Sequence, residues 1–473
     1  MEFKIAVKVA GHVGAPAVTG CGVRQGCPLS PTLFGVFIDA LEPWLQLHAP
    51  DVGVPLHTTR GVFRLLSLLV YADDISLLSE DVAGLQLLID GFDEFCSMTG
   101  LEISLTKTKV MQFLPRPRRG HPPSLHSFTL GAVVLENVES HRYLGVDFKS
   151  SGNPAHYMPA ARGKITAAYH VMRQKSCGLA CGVNVRLQLS FFAACVTSMA
   201  LYGGELWGCH PRTIVERRKT SQLHVKHLRQ LLRLSPSVCS SSLLSELQEM
   251  PLQTKWIVSC LKFWNRVVSL PEGDLFRDVL FDSALQDVGF AAGLRQACSM
   301  SCMLSPTGQL QPVDVSCILA RVRVQEARRV GPVDVDPRWC PSAGASACKY
   351  QRWFERPADV QHGRLGGTIH CHAGTSTRAH ELLRFRLGCH ALPCIMGRRT
   401  QTPRHERLCQ MCSAGLGDEK HMIFECIALG NIRDSYRHLF RNWYTMASFM
   451  NQPAQRDVMY FVTDCLRYIS DSV

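Results

Sequence analysis

Leu65-Leu66-Ser67-Leu68-Leu69-Val70 is an apolar run of strand length, and Ile75-Ser76-Leu77-Leu78 is a second one. Only Tyr71-Ala72-Asp73-Asp74 stands between them. Strand, acidic turn and strand make a hairpin with two carboxylates at its tip. Adjacent aspartates between buried strands are costly unless they are solvated or used. Two readings follow: an Asp-containing turn that favours solvent, or a Mg²⁺ site at a strand end. Mg²⁺ takes one or two protein carboxylates together with substrate phosphate oxygens.

The rest of the chain is that of a folded protein. Apolar residues are 46% and charged residues 19% of its 473 residues, a globular balance with room for two or three domains. No stretch reaches the roughly 18 to 20 apolar residues that span a bilayer. The first residues, interrupted by Glu2, Lys4 and Lys8, lack the apolar block of a signal peptide. The expectation is an intracellular protein, in nucleus or cytoplasm, with no membrane partner. A net charge of +12 favours polyanionic partners. The 21 cysteines are scattered and odd in number, which excludes a secreted disulfide scaffold and reads as buried thiols in a reducing compartment.

Texture divides the chain into four parts. Residues 1–150 mix strand-like and helical patterns, interrupted by a basic loop at Pro115-Arg116-Pro117-Arg118-Arg119. Residues 151–270 are mostly helical, with Ile165, Ala168, Tyr169 and Met172 on one apolar face. Residues 271–375 are weakly patterned and are expected to be a linker or loosely ordered. Residues 376–473 are Arg-rich and contain a Cys/His group and further helix.

Upstream of the acidic turn stands Gly22-Val23-Arg24-Gln25-Gly26-Cys27-Pro28-Leu29-Ser30-Pro31. Its glycines permit close backbone approach to a ligand. Ser30 is placed to cap a helix and Pro31 to open it, with Phe34, Phe37, Ile38 and Leu41 as the buried face. After the turn, Leu85, Leu88, Ile89, Phe92 and Phe95 mark another helix face, followed by GLEISLTKTKV from Gly100 and by Tyr143-Leu144-Gly145. In this order and spacing the motifs resemble the later palm motifs of non-LTR (LINE-type) retrotransposon reverse transcriptases. LYGGELWG at 201–208 and LKFWNRVV at 261–268 extend the likeness to about two thirds of the chain.

The resemblance implies an α+β fold: a partial polymerase palm of β-hairpin and packed helices, then a helical thumb-like domain, then a small C-terminal zinc-binding segment. It implies that Asp73 binds catalytic Mg²⁺ with Asp74 assisting, and that Tyr71 and Ala72 pack near the primer end. It places Arg24, Gln25 and Gly26 around template and incoming nucleotide, Lys107 near the nucleotide's phosphates, and Tyr143, Leu144 and Gly145 in the primer grip. RNA template and DNA primer or target DNA are the partners it implies. Ser104 departs from the Asn usual in these elements. The family's first catalytic Asp lies upstream of the Arg24 loop, where the 21 preceding residues contain no Asp. The chain is therefore expected to start too late for the whole catalytic site and to be inactive.

Lys219, Lys226, Arg229 and Arg233 are spaced to share one helix face, with His224 and His227 nearby. The face is either a solvated stripe or, in a thumb-like domain, a contact with a duplex backbone. Cys409, Cys412, His421 and Cys426 give C-x2-C-x8-H-x4-C, four soft ligands suited to a structural Zn²⁺. Arg398, Arg399, Arg404 and Arg407 form a basic approach to it. Cys371, Cys389, His390 and Cys394 lack ligand spacing and are expected to be packing residues. The alternative to polymerase ancestry is a non-catalytic, zinc-stabilised nucleic-acid-binding protein.

Overall fold

The computed structural model describes residues 3–19, 22–23, 26–57, 63–114, 125–176, 185–247, 249–300, 303–305, 308–320, 353, 377–441 and 445–472. Arg24, Gln25, the basic loop at 115–124, Cys371 and most of 321–376 lie outside the described residues. Two compact units are present: residues 1–153 with 270–286, and residues 154–269 with 287–473.

The first unit mixes helix and sheet. It opens with four short strands, β1 (Phe3–Ile5), β2 (Lys8–Val9), β3 (His12–Val13) and β4 (Ala17–Thr19), paired β1 with β4 and β2 with β3. Helix α1 (Ser30–Ile38) follows, then α2 (Leu41–His48). Ser30 is already helical and does not cap α1; Leu29 holds the cap position, and Pro31 sits within the first turn. Phe37 is 42% exposed, so the α1 core face is narrower than the sequence spacing predicts.

Strands β5 (Val54–His57) and β6 (Phe63–Leu66) form one hairpin, and β7 (Leu68–Tyr71) and β8 (Asp74–Leu77) form the next. The apolar run at 65–70 thus serves two ladders. It divides at Ser67, whose carbonyl accepts from the Leu78 amide at 2.8 Å. Helix α3 (Val82–Thr99) is capped by Asp81, which accepts from Gly84 N, and ended by Gly100 at φ 73°. Ile38, Leu41 and Leu45 meet Leu88, Phe95 and Cys96 in one core cluster, and Leu68, Ile75 and Leu77 pack against it. The base of the acidic hairpin is anchored there.

Short ladders complete this part: β9 (Lys109–Val110), β10 (Thr129–Leu130), β11 (Val133–Val134), β12 (Glu136–Asn137), β13 (Ser140–Tyr143) and β14 (Val146–Lys149). Each described sheet has two strands, all antiparallel except β9 with β12. The expected palm therefore takes the form of separate ladders on helices rather than one continuous sheet.

The second unit is helical: α4 (Tyr157–Ser176), α5 (Val185–Phe192), α6 (Ser198–Leu201), α7 (Gly204–Trp207), α8 (Ile214–Leu231), α9 (Ser240–Glu246) and α10 (Leu252–Val268) lead it. Ile165, Tyr169 and Met172 are buried along α4. Trp207, Trp256 and Trp264 are fully buried. A Cβ at Gly204 would meet the Trp256 ring at 2.8 Å, so only glycine fits this contact.

Helix α11 (Leu275–Leu285) belongs to the first unit and packs on β5, with His57 Nδ1 2.7 Å from Asp282 and Arg64 3.5 Å from Asp278. Helix α12 (Gly289–Ala297) returns to the second. The stretch from 271 accordingly begins as ordered helix, where the sequence pattern predicts a loose linker. Asp274 caps α11 by accepting from Phe276 N at 2.9 Å.

Helices α13 (Thr377–Arg386), α14 (Pro393–Arg399), α15 (Gly430–Ser435), α16 (Met446–Asn451) and α17 (Gln455–Ser472) close the chain. Buried Arg386 donates to Glu246 at 3.0 Å and also to Gln455. That ion pair ties α9 to α13 and α17. Breaking it would strand a charge in the core.

Candidate catalytic hairpin, basic groove and metal centre

The β7–β8 register pairs Leu68 with Leu77, Val70 with Ile75, and Tyr71 with Asp74. Alternation sends Leu68, Ile75 and Leu77 into the core while the tip projects outward. Tyr71, Ala72, Asp73 and Asp74 are all exposed. Ala72 sits at φ 54°, a conformation that costs a side-chain-bearing residue about 1 kcal/mol. The two carboxylates are thus held side by side in solvent and open to a hydrated cation. Among the described residues no third Asp, Glu, His or Cys joins them in a ligand cluster.

The other polymerase candidates lie on separate elements. Gly26 is exposed at φ 82° ahead of α1. Lys107 is exposed on the turn after α3, its amide donating to Ser104 O at 3.0 Å. Tyr143 ends β13, and Leu144 and Gly145 make a two-residue turn with φ 47° and 80°, the primed geometry of tight hairpins.

The basic stripe divides. Lys219 and Lys226 are exposed on α8. They line an open groove of about 730 Å³ shared with Arg162, Thr166 and His170 of α4. Arg162 and Lys219 both hold Glu216, at 2.5 and 2.7 Å. Arg229 is not part of this groove. It donates to Val238 O at 3.0 and 2.7 Å and to Ser240 Oγ at 2.7 Å, and burial lowers its pKa. Its task is to fasten the turn after α8. Arg233 lies beyond the helix end at φ 51°, so it does not share the face either. Arg162 and His170 escaped the sequence reading, although Arg162, Thr166 and His170 recur every four residues along the flank of the apolar face of α4.

His224 and His227 occupy the inner face of α8, 1% and 3% exposed. His224 Nε2 bonds Thr197 Oγ1 at 3.0 Å, and His227 stacks on Tyr169 with ring centroids 4.3 Å apart. Burial, Lys255 and His227 push His224 down to about 3; burial, His170 and Lys226 push His227 down to about 4.

Cys409, Cys412, His421 and Cys426 converge, with one donor atom from each lying within 4.8 Å of all the others. Cys409 Sγ is 3.7 Å from Cys426 Sγ, and Cys412 Sγ is 3.2 Å from His421 Nε2. Tetrahedral ligation at a metal–sulfur distance of about 2.3 Å spaces two sulfurs by about 3.8 Å. The turn is built by Cys409 N donating to Gly415 O at 2.8 Å and Ser413 N to Cys409 O at 2.9 Å. A Cβ at Gly415 would meet His421 Nδ1 at 2.8 Å, so this glycine makes room for the imidazole. Backbone and side-chain donors lower Cys412 to about 7, the Ala414 amide foremost, while burial raises Cys426 to about 11. Glu425, 3.6 Å from His421 Nδ1, is placed to orient the ring, as carboxylates do behind metal-bound histidines.

The basic approach divides as well. Arg399 and Arg404 are exposed and Arg398 is half-buried, while Arg407 donates to Thr402 O at 2.8 and 2.6 Å and to Cys394 O at 3.1 Å. Cys389, His390 and Cys394 are buried, and His390 bonds Glu419 at 3.1 Å.

Residues 3–148 match the family described as reverse transcriptase (RNA-dependent DNA polymerase). The Pol polyprotein of the type-2 retrotransposable element R2DM of Drosophila melanogaster is 28% identical over 31% of this chain and 14% of its own length. That of the type-1 element R2 of Popillia japonica is 26% identical over 46% of this chain and 29% of its own length. A probable RNA-directed DNA polymerase from transposon BS of Drosophila melanogaster is 25% identical over 47% and 23%. These matches cover between 31% and 47% of the chain, and less than a third of each relative. Residues 3–148 thus match a reverse transcriptase domain, and the relatives similar to the chain include Pol polyproteins of R2 retrotransposable elements, which supports a non-LTR reverse transcriptase.

Proposed function

We propose that the chain contributes one side of an RNA-directed DNA polymerase site, with Asp73 and Asp74 as its Mg²⁺-binding edge. The observation that supports this most is the hairpin itself, two carboxylates exposed at a tip whose base is clamped in the core. Bound there, Mg²⁺ would bring Lewis-acid charge to the transferring phosphate. The chain's own residues do the positioning. Asp73 and Asp74 offer carboxylate oxygens, Gly26, Arg24 and Gln25 border the nucleotide, Lys107 faces its phosphates, and Tyr71, Ala72 and the Tyr143–Gly145 turn hold the primer end. RNA template with DNA primer or target DNA are the substrates.

Two-metal transfer requires carboxylates on both sides of the ions. Among the described residues no further carboxylate joins Asp73 and Asp74, and the 473-residue chain alone is expected to give no primer extension with Mg²⁺, primer and template. Extension that disappears in Asp73→Asn would overturn this.

The second reading, a nucleic-acid-binding protein stabilised by Zn²⁺ at Cys409, Cys412, His421 and Cys426, is favoured by the convergence of that donor set. Both readings have Lys219, Lys226, Arg398 and Arg399 meeting phosphates. Binding to duplex is then expected to fall steeply with salt, and Lys226→Ala to lower the logarithmic salt slope by about 1 with unchanged stability. Arg229→Ala is expected to do the reverse, costing about 2 kcal/mol in urea unfolding and leaving the slope intact. Equal slopes in wild type and Lys226→Ala would remove the groove from the interface.

A further inference from the structure

We propose a second nucleic-acid site, separate from the α4–α8 groove: a recess that seats one nucleotide of a single strand. It rests on the reading that the chain binds nucleic acid. The recess encloses about 540 Å³ within the second unit, a volume in the range of small-ligand pockets. Three arginines line it from distant parts of the sequence: Arg233 past the end of α8, Arg384 on α13 and Arg467 on α17. Arg384 Nε donates to Cys389 O at 3.2 Å and Arg467 Nη2 to Glu381 Oε1 at 3.2 Å, which orients both guanidinium forks. Each fork carries further N–H donors suited to a phosphate. Against three positive charges stands one carboxylate, Glu381, leaving the lining net positive.

Glu381 also supplies selectivity for a base over a bare anion. Its Oε2 is buried and has no hydrogen-bond partner among the described residues. Turned toward the recess, such an oxygen accepts an amino or imino N–H of a base edge. Val185 and Leu466 provide apolar wall. A duplex keeps its bases paired inside and offers such a recess only backbone, whereas a single strand can turn a base outward.

Arg233 stands where a helix ends in the left-handed conformation, at φ 51°, with the Leu234 amide closing on Arg229 O at 2.9 Å. Glycine is the favoured residue there. An arginine in its place retains a side chain at the cost of backbone strain, which provides a clean test.

The full chain is titrated by fluorescence anisotropy against labelled single strands of about 12 nucleotides, RNA and DNA, and against a hairpin duplex. Arg233→Gly, which relieves the strain, is expected to keep or raise the melting temperature while weakening single-strand binding about tenfold. Ser470→Trp, at an exposed residue of the lining, should block the recess with a similar loss. Duplex binding should be unchanged in both. Equal losses on single strand and duplex, or no loss in either variant, overturn the recess while leaving the general nucleic-acid reading standing. Wild-type protein that binds neither form overturns both.

Discussion

Stripping the C-terminal metal, by chelator or by Cys412→Ser, is expected to release about one zinc per chain and open the loop carrying the first three ligands. The residues between Cys412 and His421 are small, polar and Gly-rich, and cannot bury a core. Ligation stands in for one, since in such sites metal binding is folding free energy. The neighbouring chain is held otherwise. Phe424, Phe440, Phe449 and Phe461 pack edge and face at centroid distances of 5.2 to 6.1 Å. Arg433 donates to the carbonyls of Met422, Ile423 and Cys426. Amide protection at 409–421 should therefore fall by roughly a thousandfold, about 4 kcal/mol of local opening, while α17 stays protected. Stoichiometric zinc retained by Cys412→Ser would place the metal elsewhere.

Acid is expected to destabilise the helical unit through His224 and His227. Both imidazoles are held neutral in the fold, at about 3 and about 4, whereas in the unfolded chain they titrate near 6.5. The unfolded state takes up the protons first. Stability is complete above about pH 6.5 and is lost as pH falls below it, by about 1.4 kcal/mol per unit per histidine. At pH 5 the two together cost on the order of 4 kcal/mol. His227→Phe retains the stack on Tyr169 and should halve the slope of melting temperature against pH between 6.5 and 5. A zinc-sensitive dye separates this from metal release, which the substitution leaves alone. An unchanged slope in His227→Phe would show that the loss has another origin.

The acidic hairpin was legible because apolar runs of fixed length flank four residues, and period-two alternation then decides which side chains go inward. The Cys/His site was legible from ligand type and spacing alone. The basic stripe was only half legible. Spacing by sevens, threes and fours assumes that the helix continues, but α8 ends at Leu231 and Pro236 stands soon after, a stop signal that should have detached Arg233. Nothing local distinguishes Arg229, whose partners lie on the following turn, from the solvent-facing Lys226. The histidines on α8 look like members of the basic face until the Tyr169 and Thr197 side chains that bury them are in place. Helix α11 was out of reach for another reason. Its apolar residues read as weak pattern, and its partners His57 and Arg64 lie more than 200 positions away, so only the folded chain brings Asp282 and Asp278 to them.

Whether Asp73 and Asp74 form a divalent-cation edge is tested most directly by iron-mediated cleavage. Fe²⁺ replacing Mg²⁺ at an oxygen-ligand site, supplied with hydrogen peroxide and with ascorbate to return Fe³⁺ to Fe²⁺, reduces the peroxide to hydroxide and a hydroxyl radical that cuts nearby backbone. Cuts are expected to cluster at the β7–β8 tip around residues 71–75, to be suppressed by excess Mg²⁺ and to be absent in Asp73→Asn with Asp74→Asn. Cleavage at that tip that survives both substitutions, or its absence from the wild-type chain, would contradict the cation edge.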